Sequence, residues 1–415
     1  MNILYLAHRI PYPPNKGDKL RAFRHIEHLS QRHRVWCACF VDTPADRQYI
    51  DPLARYCQDL VAIPIGRLPF VLRGLAGLLA GGTMTESFYR HDAMTDALRV
   101  WSKRTAFDVV VAFSSSMAQY ALQVPARRRM LDLCDCDSQK WLDYAAAASI
   151  PARWLYEAEG ERLAVKERAW LEAFDATLLI SKDEATSLRT AAPSAKLHIL
   201  TNGATLPDLV SPLEPHPSTV GFVGVMNYRP NVDAVRWFVD QCWPDVRSAY
   251  PDALFRIVGR SPVRRVRRLS RVSGVEIVGE VKDIGDEVRR FDVSVAPLRI
   301  ARGLQNKVLE AMAAAKPVVL TTKAAVGINA RDGEDYLIAD APAPIARAVA
   351  RLLRDPAERD RVGSNARRFV ATHHRWDDVL RKFELIVVGA VEREAPRTPV
   401  AVAASSPIPT AVATS

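Results

Sequence analysis

The chain has 415 residues, 48% of them hydrophobic, with a formal net charge of +10 and a pI near 9.4. That length exceeds what one hydrophobic core usually supports, so two domains of roughly 150–200 residues are expected, each with ample apolar content. The positive charge favours anionic partners, whether nucleotide phosphates, anionic lipid head groups or nucleic acid, and by itself does not choose among them.

Six cysteines (Cys37, Cys39, Cys57, Cys134, Cys136 and Cys242) are sparse for this length and show no zinc-like spacing, so they read as reduced and structural. The opening residues lack a basic head followed by a long apolar core, and no apolar run nears the roughly 20 residues of a spanning helix. A cytoplasmic protein is expected.

Short apolar runs recur at 3–7, 35–41, 60–65, 109–113, 130–134, 177–180 and 198–200, with helical stretches between most of them. Within 17–29, Leu20, Phe23, Ile26 and Leu29 mark one buried helix face. Strands alternating with helices imply a parallel, doubly wound α/β sheet. The loop before that helix, Pro11 to Lys19, carries Gly17, where backbone could approach a ligand, and Lys16 and Lys19, which could meet its phosphates. An ordinary Pro/Gly turn with solvated lysines is the plainer reading. His8, at the end of the first strand, is read as structural.

The stretch from Leu68 to Ala80 is apolar and lightly basic, with Arg67 and Arg73. It is too short to span a bilayer. Either it lies at a membrane surface or along a lipid chain, or it is buried under the first sheet, and its glycines weaken the case for a helix. Asp132, Asp135 and Asp137 follow a strand and read as a solvated or hydroxyl-binding loop; a cation site is the minor alternative, and no calcium-loop pattern is met.

Asn202-Gly203 closes the first domain, residues 1–203, and a Pro-rich linker spans 204–218. A second alternating series follows at 219–223, 254–258, 275–278, 293–296, 318–320 and 336–338, giving a second domain over 219–375. Ligands of open α/β sheets bind beyond the carboxyl ends of the strands, so an interdomain cleft is expected. Arg229 and Asn231 follow the first strand of this series and Arg260 the second, where phosphate or nucleoside could be held. The run from Arg264 to Arg268 reads as a solvated helix face, since no aromatic interleaving supports a nucleic-acid patch.

The chemistry gathers between Val293 and Leu320, which reads as strand, polar loop, helix and strand. The loop carries Arg299, Arg302 and Gly303, and the helix starts at Asn306. Unpaired N–H groups of its first turn, with the positive end of the helix dipole, suit an anion, and Lys307 and Arg302 add full charges. Glu310, one turn in, shares a face with Asn306 and Lys307 and could bind ribose or sugar hydroxyls. Residues 376–391 read as a last helix, and 392–415 as a low-complexity, disordered tail with no catalytic role.

Pro297-Leu298, Gly303, the run from Lys307 to Met312 (KVLEAM) and the run from Lys316 to Val319 (KPVV) resemble the GT-B fold glycosyltransferases of the retaining family-four type. The Asn15 to Arg21 loop and Asn202-Gly203 extend the resemblance over nearly the whole chain to about residue 391. The stretch from Ala296 to Met312, with Tyr5 to Pro14, is similar more narrowly to the exosortase-associated (PEP-CTERM type) sugar transferases. The resemblance implies two Rossmann-like domains and a last helix that crosses back to the first. It implies a nucleotide-sugar donor, a glycan or polyprenyl-linked acceptor, work in exopolysaccharide or envelope synthesis, peripheral contact with an anionic membrane surface, no nucleic-acid partner, and no metal or other cofactor.

By the same resemblance Glu310 is the second acid of the family's Glu, seven residues, Glu motif and binds the ribose. Backbone from Gly303 through Gln305 to Asn306 holds the diphosphate, and the Gly17 loop closes over it. Two departures stand out. The family's basic pair after the first strand of the second domain is missing, leaving Arg229 as substitute. The motif's first acid falls at Arg302, so either the donor differs, or Arg302 binds phosphate, or the site binds nucleotide without transferring sugar. A non-catalytic nucleotide-binding partner of a glycan assembly complex and a GT-B-fold epimerase are the rival readings.

Overall fold

The computed structural model describes residues 1–146, 148–209, 218–301 and 303–389; the side chains of 67–71 and 183 are outside that description. The chain divides into two compact units, one of residues 1–200 joined by the segment from Leu380 onward, the other of residues 201–379. Of the expected linker, 210–217 lies outside the described residues, as do Arg302 and the tail 392–415.

The first unit is built on seven strands: β1 Asn2–Ala7, β2 Arg34–Val41, β3 Asp59–Pro64, β4 Phe107–Phe113, β5 Ala126–Cys134, β6 Ala176–Leu179 and β7 Leu197–Ile199. Their order in the sheet is β3-β2-β1-β4-β5-β6-β7, all parallel. The second unit holds β8 Thr219–Val223, β9 Leu254–Val258, β10 Val275–Gly279, β11 Val293–Ala296, β12 Val318–Leu320 and β13 Leu337–Ile338, ordered β10-β9-β8-β11-β12-β13 and again parallel. Parallel strands need crossover helices on both faces, which is why the central strands are apolar without alternation. Every residue from Val109 to Phe113 and from Val293 to Ala296 is buried accordingly.

In both sheets the winding reverses between the first and fourth strands, β1 and β4 in one, β8 and β11 in the other. At that reversal adjacent crossovers lie on opposite faces and leave a crevice at the strands' carboxyl ends. Beneath the second crevice, Phe238 packs 4.6 Å from Phe255 and Trp243 5.6 Å from Phe255, centroid to centroid, fixing the helices beside β9.

Two regions differ from the expectation. The helix Arg67–Leu79 does not lie buried under the sheet: it packs against the helix Met84–Tyr89, and Leu72 and Leu79 are 60% and 89% exposed. Its glycines, which argued against a helix, are the contact: a Cβ on Gly74 would stand 2.7 Å from the Phe88 ring, and one on Gly77 would overlap the Ser87 hydroxyl. Asp132 is not part of a solvated loop. It is fully buried and accepts Arg21 Nε and Nη2 at 2.8 and 3.1 Å, while Arg21 Nη1 donates to Leu200 O at 2.9 Å. A buried guanidinium and carboxylate joined in two places satisfy each other and tie the helix Gly17–Ser30 to the centre of the sheet.

Candidate active site

The site is assembled in the second unit, at the crevice between β8 and β11. Three segments reach it: the loop after β8, the loop after β9, and the loop and helix after β11.

After β8 the chain turns at Gly224. A Cβ there would lie 2.6 Å from Asn231 Nδ2 and 3.2 Å from Lys307 Nζ, so only glycine lets those side chains sit against this backbone. The loop after β9 presses in from beside it: Gly259 has φ +143°, and a Cβ on it would collide with Gly224 O. Gly224 N donates to Val258 O at 3.0 Å and Met226 N to Arg260 O at 2.9 Å, which fixes the two loops as one surface.

After β11, Gly303 takes the left-handed conformation (φ +63°) and turns the chain into the helix Asn306–Ala313. Gln305 stands at the N-cap position and makes no side-chain cap; its amide donates to Gly303 O at 3.2 Å. The helix start is held by Asn306 Oδ1, which accepts from Asn202 Nδ2 at 2.8 Å. Asn202 O in turn pairs with His374 Nδ1 at 3.0 Å, and a Cβ on Gly203 would lie 2.6 Å from the Trp376 ring. The Asn202-Gly203 pair, read in the sequence as a domain boundary, therefore also braces the helix that opens the crevice.

Lys307 and Glu310 are one turn apart on that helix. Lys307 Nζ donates to Asn231 Oδ1 and lies 4.6 Å from the centroid of the Phe222 ring. Asn231 is held from behind by its own bond to Val225 O at 3.1 Å. Both Lys307 and Glu310 keep part of their surface, but their charged ends sit deep. Burial lowers the Lys307 ammonium to about 7, partly offset by Glu310. Burial likewise raises the Glu310 carboxyl to about 7, partly offset by Lys307. With a lysine and a glutamate both poised near neutrality beside an uncapped helix start, an arriving anion and arriving hydroxyl donors would each restore a charge.

The other expected residues are distributed differently. Arg229 is exposed at the first position of the helix Arg229–Trp237. Arg260 is half-buried in the loop after β9. Arg299 is engaged by Asp233, through Nε at 3.0 Å and Nη2 at 2.5 Å, and lies 5.4 Å over Trp237. Arg302 lies outside the described residues. In the first unit Gly17 is exposed at its helix start, while Lys19 is 3% exposed and its ammonium is 3.2 Å from Asp46 Oδ1, a commitment the sequence did not reveal. Phe222 and Asp233 were not singled out from the sequence. Phe222 is one of many apolar strand residues, and only its register places its ring under Lys307.

A six-stranded parallel sheet wound in this order, with an anion-suited helix start at its switch point, is a Rossmann-like domain. Residues 217–355, within the second unit, match the family model of glycosyl transferases group 1.

Solved structures show the same GT-B fold of two Rossmann-like units. Sucrose-phosphate synthase from Thermosynechococcus elongatus superposes with a TM-score of 0.70 at 17% identity, covering 93% of this chain and 98% of that one. The Anabaena protein HepE, solved with UDP and glucose, gives 0.66 at 14% identity over 94% and 100%. WaaG, a glycosyltransferase of lipopolysaccharide biosynthesis, gives 0.64 at 15% over 94% and 100%. No curated protein matches the chain by sequence. The family match and the fold together support a glycosyltransferase.

Proposed function

We propose that the protein transfers a glycosyl group from a nucleoside diphosphate sugar to a glycan or polyprenyl-linked acceptor, with retention, in the building of an exopolysaccharide or cell envelope. The observation that carries this reading is the Lys307–Glu310 pair at the switch point of the second sheet, set against Asn231 and Phe222. The donor's diphosphate lies at the start of the helix Asn306–Ala313, where main-chain N–H groups from Gly303 to Asn306 and the Lys307 ammonium meet its oxygens. The ribose hydroxyls donate to Glu310.

Cleavage of the glycosidic bond leaves charge on the departing diphosphate, and donors already fixed in place stabilise it without reorganising. Lys307 is suited to this because its charge is strengthened by the anion it binds. Arg229, at the first position of the helix after β8, and Arg260, in the loop after β9, would supply further positive charge. The neighbour solved with UDP supports a nucleoside diphosphate as the ligand class. Transfer without a resident metal is part of the proposal, and we expect activity to persist in excess EDTA.

Thermal-shift measurements with a panel of nucleotides and nucleotide sugars identify the donor, and radiolabelled donors with membrane lipid extracts then test transfer. Binding of a nucleotide sugar with no transfer to any extract sinks the enzyme reading. Conversion of the donor sugar without an acceptor replaces it with an epimerase.

A further inference from the structure

Five arginines fall within the eight residues from Arg264 to Arg271, in a stretch that holds no acid between Asp252 and Glu276. The fold sets them on the outside of the second unit, on the short helix Arg264–Arg267 and the 3-10 turn Arg268–Arg271 that follows it. Val266 and Leu269 turn inward and are buried, which leaves all five arginines exposed. Arg264, Arg268 and Arg271 recur at i, i+4 and i+7, so they stand in a row along one face. Arg267 donates through Nε to Pro262 O at 2.8 Å. The guanidinium groups of Arg264, Arg265, Arg268 and Arg271 have no hydrogen-bond or ion-pair partner among the described residues.

Such a row repels itself. Other helical arginines of this chain are paired one turn away: Arg24 with Glu27 and Arg99 with Asp96 at 2.7 Å, Arg153 with Glu157 and Arg290 with Glu287 at 2.8 Å. Here the neighbours one turn away are like charges, which oppose the helix. The elements packed most closely against it are the helix Arg229–Trp237 and β10, and their acids are committed elsewhere, Asp233 to Arg299 and Glu276 to Arg256. An anion from outside would offset the repulsion. The row also starts beside the crevice of its own unit: Val263 N donates to Met226 O at 3.3 Å and Met226 N to Arg260 O at 2.9 Å, so it leads away from the loops after β8 and β9. No aromatic residue lies between Arg256 and Arg271 on which a nucleobase could stack. Of the large apolar side chains here only Val272, 39% exposed, faces water, so no apolar row is offered to a bilayer. An acidic glycan needs neither, since carboxylates repeated along a chain are met directly by guanidinium forks.

We propose that Arg264, Arg265, Arg268 and Arg271 bind an acidic glycan, a chain that carries uronate or similar carboxylates, and hold it beside the crevice of the second unit. This rests on the reading that the protein builds a glycan, and it narrows that glycan to an anionic one.

The test is calorimetric titration of the full chain, without donor, with polygalacturonate and with neutral dextran. The protein binds polygalacturonate at least about tenfold more tightly, and binding weakens as salt rises. The variant with Arg264→Gln, Arg265→Gln, Arg268→Gln and Arg271→Gln loses about tenfold or more of that affinity. Its circular dichroism is unchanged, because these side chains already face water. A variant with Arg47→Gln, Arg55→Gln, Lys103→Gln and Arg104→Gln, which removes the same charge from exposed positions of the first unit, retains binding. Failure of the wild-type chain to bind polygalacturonate, equal binding by the first variant, or equal loss in the second overturns the proposal. So does tighter binding of polyuridylate or of phosphatidylglycerol vesicles that the first variant abolishes, which assigns the row to a nucleic acid or a membrane. A chain that transfers sugar but ignores polygalacturonate refutes only this site, and one that binds it but transfers no sugar refutes only the proposed function.

Discussion

Glu310 and Lys307 carry the clearest consequences at the scale of single residues. If Glu310 accepts the ribose hydroxyls, Glu310→Ala weakens nucleotide binding by about 1–3 kcal/mol, the cost of a charge-assisted hydrogen bond, and calorimetric titration of the folded variant reads it directly. An unchanged affinity removes that role. Binding is also coupled to protons. In the free protein Lys307 is lowered to about 7 and Glu310 raised to about 7, in each case by burial. A bound diphosphate favours the ammonium and raises the first value; bound hydroxyls favour the carboxylate and lower the second. Above neutrality Lys307 is mostly uncharged beforehand, so binding takes up a proton at pH 8. Below neutrality Glu310 is mostly protonated beforehand, so binding releases one at pH 6. Titrations with a nucleotide sugar in buffers of different ionisation enthalpy show this change of sign, and proton-neutral binding at both pH values refutes it. Glu310 was singled out in the sequence because a motif surrounds it and Asn231 because it follows β8, whereas Phe222 joins the group only by standing against Lys307 in space.

Among the elements, two can be probed singly. The loop after β8 depends on Gly224, and Gly224→Ala pushes a methyl against Asn231 and Lys307. Nucleotide affinity should then drop by about tenfold or more while the fold, packed elsewhere, stays cooperative; thermal shifts with and without nucleotide separate the two effects.

The last helix, Trp376–Val388, is the second case. Phe383 stacks on His25 at 3.7 Å, Lys382 Nζ donates to Ile199 O at 2.8 Å, and Glu384 receives His28 Nε2 at 2.8 Å, His33 Nε2 at 3.2 Å and Arg32 Nη1 at 3.2 Å. Burial works to raise the Glu384 carboxyl, but the hydrogen bond and charge of His28, then His33 and Arg32, outweigh it and hold the group below its ordinary range. A lowered carboxylate contributes stability that is present above its unfolded value, near 4.3, and lost as pH falls through the folded one. Glu384→Gln should therefore lower the melting temperature at pH 7 and converge on the wild type in acid. A constant difference across pH would show that packing, not charge, is what the residue supplies. The sequence announced this helix, yet its partners lie some 180 to 360 positions away and no local pattern names them.

For the molecule as a whole, two parallel sheets with the same winding set where ligands can go before any side chain is considered. Deletion of 392–415, a segment given no catalytic role, should leave nucleotide binding unchanged within about 0.5 kcal/mol; a larger loss would assign the tail a part in the site.

Twelve of the thirteen strands were legible within a residue or two, β5 starting four residues before the expected 130, because strands buried on both faces must be apolar throughout and the Gly- and Pro-rich loops punctuate them. So was the helix start after β11, since a glycine turn, a lysine and a glutamate one turn on are local in sequence. Tertiary structure alone decided what each charge is for. It turned Asp132 inward onto Arg21, committed Lys19 to Asp46 and Arg299 to Asp233, and set Lys307 between Asn231 and Phe222. The reason is the short range of these forces. Apolar burial is written in the periodicity of one segment, but an ion pair forms between whichever groups the fold brings within a few ångströms, and those distances exist only after the sheets have closed.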